Sequence, residues 1–575
     1  MRTSSAVETR STRSADRSTP TKIIVIGLIG LLLICFYVAV VRFSVNVPIV
    51  DDFMYVFTLT RLLDPAATWQ KIVLLIIEQH NDHRILLSRL AFLTTYAFEG
   101  HLNFQTLIIV ASLSVAGMVW LIGRLFRRAQ LSSWAILPVA FLLFQPSYHA
   151  NVWWALSIWQ HTVTLFLYIL LFYLVLKATG RYQVSAWLLG AVLVFSNSNG
   201  IVAWFTVVLL LAVNRRWKQA GIWAVSGIIL AVLYYNLGYD FRSQGSFQVI
   251  IQHPVWVFKS VVSFLGGAVY LNGWRWLGIP NLWLVLGTGV SVMVIVILAW
   301  WRMFFDRVRP SVPFQVFAAL ALVLCGTAGA ASLTRSDGHF SVIDRYQVYS
   351  VLCVISAYAL ALLTVKGRWN QSLVVGMNVV GAWFCLVAWQ LYPPILAEKR
   401  QQLISQTYSL EHYNKSVVDN LFLLDPYWQG LWKQAVTKGQ YQFPNTELSG
   451  VEPVLRQKAG GYVATSFNVK DTVVNELSVD HDLAMVENKT LPTPDYMLLQ
   501  STAETHILPA RTLTAEQPFR ASGPPIGVKT TFYPQALTPG NYRIGWLNVD
   551  GDKPVAEWTK QFYVKGADDA SKPFR

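Results

Sequence analysis

The sequence predicts an α-helical polytopic membrane protein of about eleven transmembrane helices, followed by a C-terminal β-rich, sandwich-like domain outside the cytoplasmic membrane. Three observations carry this. Of 575 residues, 54% are hydrophobic and only 13% charged, and the mean hydropathy of +0.42 lies well above that of a soluble enzyme. Uncharged runs long enough for a hydrocarbon core of roughly 30 Å recur between short basic segments. After Tyr392-Pro-Pro394 the composition turns abruptly polar, and no further run of that kind follows.

Residues 1–21 are rich in Ser, Thr and Arg and are expected to be disordered in the cytoplasm. The first run, Ile23 to Val41, follows Arg2, Arg10, Arg13, Arg17 and Lys22. It is too long for the apolar core of a signal peptide and no small-x-small cleavage site follows, so it reads as a permanent anchor with a cytoplasmic N-terminus. Crossings are expected near 22–42, 104–123, 133–149, 156–176, 184–196, 200–213, 219–237, 282–303, 313–333, 346–365 and 371–392. The pair around Ser196-Asn-Ser-Asn-Gly200 reads alternatively as a broken hairpin.

Parity is checked by charge. Arg124, Arg127 and Arg128, Lys177 and Arg181, Arg215, Arg216 and Lys218, Arg302, Arg307 and Arg309, and Lys366 and Arg368 all fall in loops assigned to the cytoplasm, where only Asp306 opposes them. The formal charge of +15 therefore encodes topology rather than a nucleic-acid-binding patch. The membrane domain spans 22–392, with a first outer loop at 43–103. In that loop Phe53 to Leu63 and Trp69 to Ile77 are apolar but too short to cross, as is Phe247 to Leu271 further on, and they read as interfacial or re-entrant helices.

Residues 393–459 read as a helical linker region and 460–575 as the sandwich-like outer domain. Alternating segments such as Tyr462-Val-Ala-Thr-Ser-Phe467 and Tyr542-Arg-Ile-Gly-Trp546 are separated there by turn residues, among them Pro539-Gly-Asn541 and Asp550-Gly551. Tyr462, Phe532, Trp546 and Trp558 are core aromatics or, alternatively, sugar-stacking platforms. All four cysteines, Cys35, Cys325, Cys353 and Cys385, lie in expected spans, so the outer domain folds without disulfides.

The chain holds neither a G-x-x-x-x-G-K-[ST] loop nor a G-x-G-x-x-G fingerprint, and no cytoplasmic loop is long enough for a nucleotide domain. Charges cluster at the outer ends of the spans instead of being scattered along an ion pathway. Candidate chemistry therefore lies outside, in three clusters. Asp51-Asp52 directly follows the first span, and its plain structural reading is a cap for the helix beginning near Phe53. Glu78-Gln-His80-Asn-Asp-His83-Arg84 closes an aliphatic run. If helical, it sets His80, His83 and Arg84 on one face; its plain reading is interfacial anchoring, and a metal reading of His80-x-x-His83 lacks the H-E-x-x-H form. Thr334-Arg-Ser-Asp-Gly-His-Phe-Ser-Val-Ile-Asp-Arg-Tyr346 lies between two late spans and carries Arg335, His339, Arg345 and Tyr346, with internal ion pairing as its plain reading.

Paired acids after the first span, interfacial helices in the first outer loop, the His80-Asn-Asp-His83-Arg84 segment and the Arg345-Tyr346 step entering a late span together resemble bacterial GT-C-fold glycosyltransferases. The resemblance covers the layout from Lys22 to Tyr392. It implies a transferase that takes a sugar from a polyprenyl-phosphate donor and passes it to an envelope glycan, lipid or protein at the outer face of the bacterial cytoplasmic membrane. By the same resemblance Asp51 or Asp52 is the catalytic general base. Glu78, His80, His83, Arg84, Arg335, His339, Arg345 and Tyr346 are the substrate-binding candidates. Arg335 and Arg345 suit the leaving phosphate because a guanidinium fork donates in parallel, with Arg84, Lys259 and Arg275 in reserve. No obligatory metal or other cofactor is expected, although a divalent cation could take the place of arginine. The expected partners are the lipid-linked donor, its flippase, the acceptor and membrane lipids, with no nucleic acid. Two other classes stay open: a lipid-linked polysaccharide polymerase or ligase, relying on outer arginines and His339, and a non-enzymatic lipid or glycan translocase.

Overall fold

The computed structural model describes residues 19–177, 181–240, 248–271, 281–335, 344–418, 422–456, 467–476, 479–488, 494–514, 525–549 and 554–566. Among the described residues, seven helices are long and apolar enough to cross a membrane: Pro20–Phe43, Phe104–Arg128, Ala155–Lys177, Trp217–Asn236, Leu282–Phe305, Val312–Leu333 and Arg368–Tyr413. The other four expected crossings are shorter apolar helices, at Ser133–Leu143, Tyr182–Val194, Asn199–Val213 and Gln347–Leu362. The expectation of about eleven full crossings is thus coarser here: every expected run is helical, but seven have the length.

Burial shows how the helices assemble. Along Phe104–Arg128 the residues Leu107, Ile108, Ala111, Val115, Met118, Ile122 and Leu125 are buried, the 3.6-residue stripe of a helix with one packed face. Its start is set by Asn103, whose side chain accepts the Thr106 N–H at 3.1 Å. Helices near the periphery turn apolar side chains outward instead: Ile26 is 69% exposed and Ile222 63%. The helix Pro254–Gly266 packs against Asn281–Phe305 so closely that a Cβ at Gly266 would run into the Val285 carbonyl, and one at Gly289 into that of Val262. Glycine at both positions lets the two backbones approach.

The last expected crossing, 371–392, continues as helix beyond its expected end. The helix that begins at Arg368 runs through Pro393 and Pro394 to Tyr413, 46 residues in all, or about 69 Å at 1.5 Å per residue. Two prolines cost two backbone hydrogen bonds. Packing holds the axis on both sides of them: Trp389 donates to the Phe144 carbonyl at 3.1 Å, and Leu396, Leu403 and Ile404 are buried in the main core.

The region after this helix is not a free linker. The helix Pro426–Thr437 lies under the first loop, with Trp428 stacked on Phe57 at 4.8 Å and Trp432 against Phe53 at 5.2 Å. Ten strands are described. β1 (Gln79–His80) and β2 (His83–Arg84) form a small hairpin, and β3 (Asn468–Glu476), β4 (Val479–Asn488), β5 (Tyr496–Gln500), β6 (Thr505–Pro509), β7 (Arg511–Thr514), β8 (Pro525–Phe532), β9 (Gly540–Asn548) and β10 (Val555–Lys565) form two four-stranded antiparallel sheets. Their orders are β10-β9-β5-β6 and β3-β4-β8-β7. Alternation along β5 explains the layering: Leu498 joins the core shared with the helices, while Met497 and Leu499 join a second core between the sheets. Successive strand residues face opposite sides, so this sheet is covered by helix on one face and by strands on the other. Phe532, Trp546 and Trp558 are all buried, which makes them core; Tyr462 lies outside the described residues.

Candidate functional site

The loop leaving the first helix is apolar on alternate residues, and Val45, Val47 and Ile49 are all buried. It is anchored from below, where Asn46 donates to the Gln442 carbonyl at 3.0 Å and its own carbonyl accepts the Tyr441 hydroxyl at 2.8 Å. The chain then makes a single 3-10 turn, Val50–Asp52. Val50 enters it at φ +38°. A β-branched residue with positive φ is strained by roughly 1–3 kcal/mol, a cost that clusters at functional sites.

The two acids of this turn part company. Asp52 is 1% exposed, and it does not cap the helix Phe53–Leu62 that follows it. One of its oxygens accepts the Leu156 N–H at 2.7 Å and the other the Ile49 N–H at 3.2 Å. It therefore closes the N-terminus of a different helix, the one that starts at Ala155. Burial pushes its carboxyl up to about 8, against the pull of the N–H groups of Leu156, Ile49 and Ala155. Asp52 has no face open to a substrate, which removes it as a candidate base.

Asp51 faces the open side. Its side chain keeps 18% exposure, and an oxygen lies 3.9 Å from His80 Nε2. Burial raises its carboxyl above the ordinary range, while the nearby Arg345 guanidinium pulls it back down. Burial also lowers His80 to about 4, so the imidazole is neutral at pH 7 and the contact is not an ion pair. The segment bearing His80 is not helical as one reading had it. His80 pairs with His83 and Gln79 with Arg84 across a two-residue turn, and Asn81 in that turn has φ +49°, a conformation Asn tolerates better than most residues. Five residues are too few to separate a 3.6 period from a period of two.

Arg345 and Tyr346 come from the short turn Asp344–Tyr346. Asn151 holds this turn, donating to the Arg345 carbonyl at 2.6 Å and accepting the Val348 N–H at 3.3 Å. Behind it lies a second polar layer that the sequence reading did not single out. A π turn over Ile158–Val163 interrupts the helix Ala155–Lys177, and such turns recur at functional sites. His161 in this turn lies with Nδ1 2.9 Å from the Tyr349 hydroxyl and its ring 6.1 Å from that of Tyr346. Asn197 donates to the Gln160 carbonyl at 3.1 Å, and Ser198 Oγ meets His83 Nδ1 at 2.8 Å. The available signal was a histidine inside an apolar run, which marks a functional position by default.

No protein-family model matches this chain, and no curated protein matches it. Its chemistry is therefore read from these residues alone.

The remaining candidates divide by geometry. Glu78 pairs with Arg61 through both oxygens, at 3.1 and 3.2 Å. Arg84 is fully buried, and all three of its guanidinium nitrogens donate to main-chain carbonyls, to Tyr234 at 3.1 and 2.7 Å, to Leu237 at 2.8 Å and to Ile77. It ties the C-terminal end of the helix Trp217–Asn236, where a cation complements the dipole, and it is removed as a phosphate ligand. Arg335 ends the helix Val312–Arg335; its side chain, and the whole of His339 and Arg275, lie outside the described residues. Among the described residues no three His, Cys, Asp or Glu side chains gather as a metal site.

Proposed function

We propose that this protein is an integral membrane glycosyltransferase that takes a sugar from a polyprenyl-phosphate donor and transfers it, with inversion, to an envelope acceptor at the outer face of the cytoplasmic membrane. One observation carries the reading: the partly open Asp51 carboxyl lies 3.9 Å from His80 and within the electrostatic reach of Arg345, three segments converging at one end of a bundle of apolar helices. The outward-facing apolar side chains of those helices suit contact with lipid. A site at the bundle's end is within reach of a substrate whose head is wet and whose tail stays in the bilayer.

In this mechanism Asp51 accepts the proton of the acceptor hydroxyl as that oxygen attacks the anomeric carbon. The bond from the anomeric carbon to the phosphate oxygen breaks, and the lipid phosphate departs with the electron pair. Arg345 receives the charge that develops on it. Neutral His80 beside Asp51 orients the acceptor hydroxyl, and Tyr346 borders the donor side. Asp52 holds Asp51 in place through the helix at Ala155. An outward-facing active site has no direct access to cytoplasmic nucleotide sugars, so a donor already flipped across the membrane fits this placement.

The test is purified protein in detergent, given labelled polyprenyl-phosphate monosaccharide or labelled nucleotide sugar. Turnover is expected with the first only, with little effect of chelator. Turnover with the nucleotide sugar alone overturns the lipid-donor reading, and strong inhibition by chelator moves the phosphate from Arg345 to a metal.

A further inference from the structure

A cavity of about 240 Å³ opens between the helices Ala155–Lys177, Arg181–Val194, Asn199–Val213 and Trp217–Asn236, lined by Trp187, Leu211, Ile222, Trp223 and Arg216. It lies at the far end of the bundle from Asp51. The helix capped by Asp52 at Ala155 ends at Lys177 beside the cavity and is 23 residues long, which is roughly 34 Å of helix. The lining is apolar apart from Gln183, Gln219 and, at one edge, Arg216, which folds back to donate to the Val175 carbonyl at 2.8 Å and to the Gln219 side chain.

The charge around that edge is of one sign. Arg215 and Lys218 are exposed beside Arg216, Lys177 lies 4.6 Å from the Tyr182 ring centre, and Arg124 lies 6.0 Å from that of Tyr173. Between Glu99 and Asp240 the sequence contains no Asp or Glu at all. Trp217, 66% exposed, sits at the same end, as interfacial tryptophans do. An apolar slot with a cationic rim, built by four helices that carry no Asp or Glu, is complementary to a ligand with an aliphatic chain and an anionic head.

We propose that this cavity binds an anionic phospholipid of the leaflet opposite the catalytic site, one acyl chain entering between Trp187, Leu211, Ile222 and Trp223 and the phosphate resting on Arg216 with Arg215 and Lys218. The site is separate from the sugar donor's and steadies the short helices Arg181–Val194 and Asn199–Val213, of which the second begins at Asn199 in the polar layer behind Arg345. The inference rests on the membrane reading and not on sugar transfer.

Native mass spectrometry of the full chain tests it, with phosphatidylglycerol, phosphatidylcholine of the same acyl chains, and inorganic phosphate as probes. Phosphatidylglycerol is expected to be retained in preference. Arg216→Gln should weaken that retention about fivefold, the worth of one basic residue against an anionic lipid. Ile222→Trp, which fills the mouth of the slot from an exposed position, should abolish it while leaving Arg216 in place. Equal retention of both lipids, or retention unchanged in both variants, overturns the site, as does a phosphate effect equal to that of phosphatidylglycerol. Recovery of the protein from the membrane fraction only with detergent is scored separately, so a failed membrane reading is told apart from a failed lipid site.

Discussion

Asp52 and Leu156 stand 104 positions apart in sequence and are joined by a 2.7 Å hydrogen bond from the Leu156 N–H to the Asp52 carboxyl. That bond pins the loop after the first helix to the start of the helix bearing the π turn, and through it sets where the neighbouring Asp51 points.

The two acids should therefore fail in different ways. Asp52→Asn leaves one oxygen to serve two N–H donors, and a buried donor without a partner costs about 1–3 kcal/mol, so the protein should melt earlier. Asp51→Asn, at a partly open position, should leave melting unchanged and lower transfer roughly a hundredfold or more, the range for loss of a general base. Thermal melts and turnover of the two variants decide it; full activity in Asp51→Asn would return the base to another residue.

The pH profile should report Asp51. A base works ionised, so the rate climbs with pH through the Asp51 pKa, which burial places above the ordinary carboxylate value of about 3.9. His80, neutral above about 4, adds no limb between pH 5 and 8. Arg345→Gln removes the charge that lowers Asp51, so the midpoint should move further up. Arg345→Lys keeps the charge, so the midpoint should hold while the apparent KM for the lipid-phosphate donor rises, because an ammonium cannot match the guanidinium fork. A midpoint unmoved in Arg345→Gln would separate the two residues.

The hairpin that presents His80 depends on Asn81 at φ +49°. Asn81→Gly should be tolerated, whereas Asn81→Val should cost about 1–2 kcal/mol for a β-branched residue in a left-handed conformation. Activity should fall with it as His80 is displaced. Equal melting of the two variants would mean that the turn relaxes without cost.

Orientation is open to a direct measurement. A reporter active only outside the cytoplasm should be active when fused after Arg575 and silent when fused after Arg128, because every short basic loop agrees on one inside face. The reverse pattern would place Asp51 in the cytoplasm and remove the need for a flipped donor.

Much of the helical layout was legible in the sequence. The run Ile23 to Val41, the interfacial stretches at Phe53 and Trp69 and the late β-region all reappear as elements, because each is written in local hydrophobicity, period and turn residues. The two helical stretches expected on either side of Pro393-Pro394 form one helix, since Trp389 on one side and Leu396 on the other are held by packing that carries it across the prolines. The site was legible only in part. Asp51, His80, Arg345 and Tyr346 were named in advance, whereas His161 and Asn151 were not singled out, and Asn197 entered only as part of the Ser196–Gly200 segment read as a broken hairpin.

What the sequence determined by itself was the location of the apolar helices, the polarity of the two ends and the end at which acids and imidazoles gather, all of which depend on composition within a few turns. What tertiary structure alone decided was the role of each member of that gathering. Asp51 and Asp52 are chemically identical neighbours, but successive residues of a 3-10 turn point about 120° apart, so one meets the Leu156 amide and the other meets His80. Arg84 stood in reserve behind Arg345 as a phosphate ligand until the carbonyls of Tyr234 and Leu237, some 150 positions away, took up its donors. Such partners lie beyond the reach of any local pattern, because a side chain's role is set by what the folded chain brings against it.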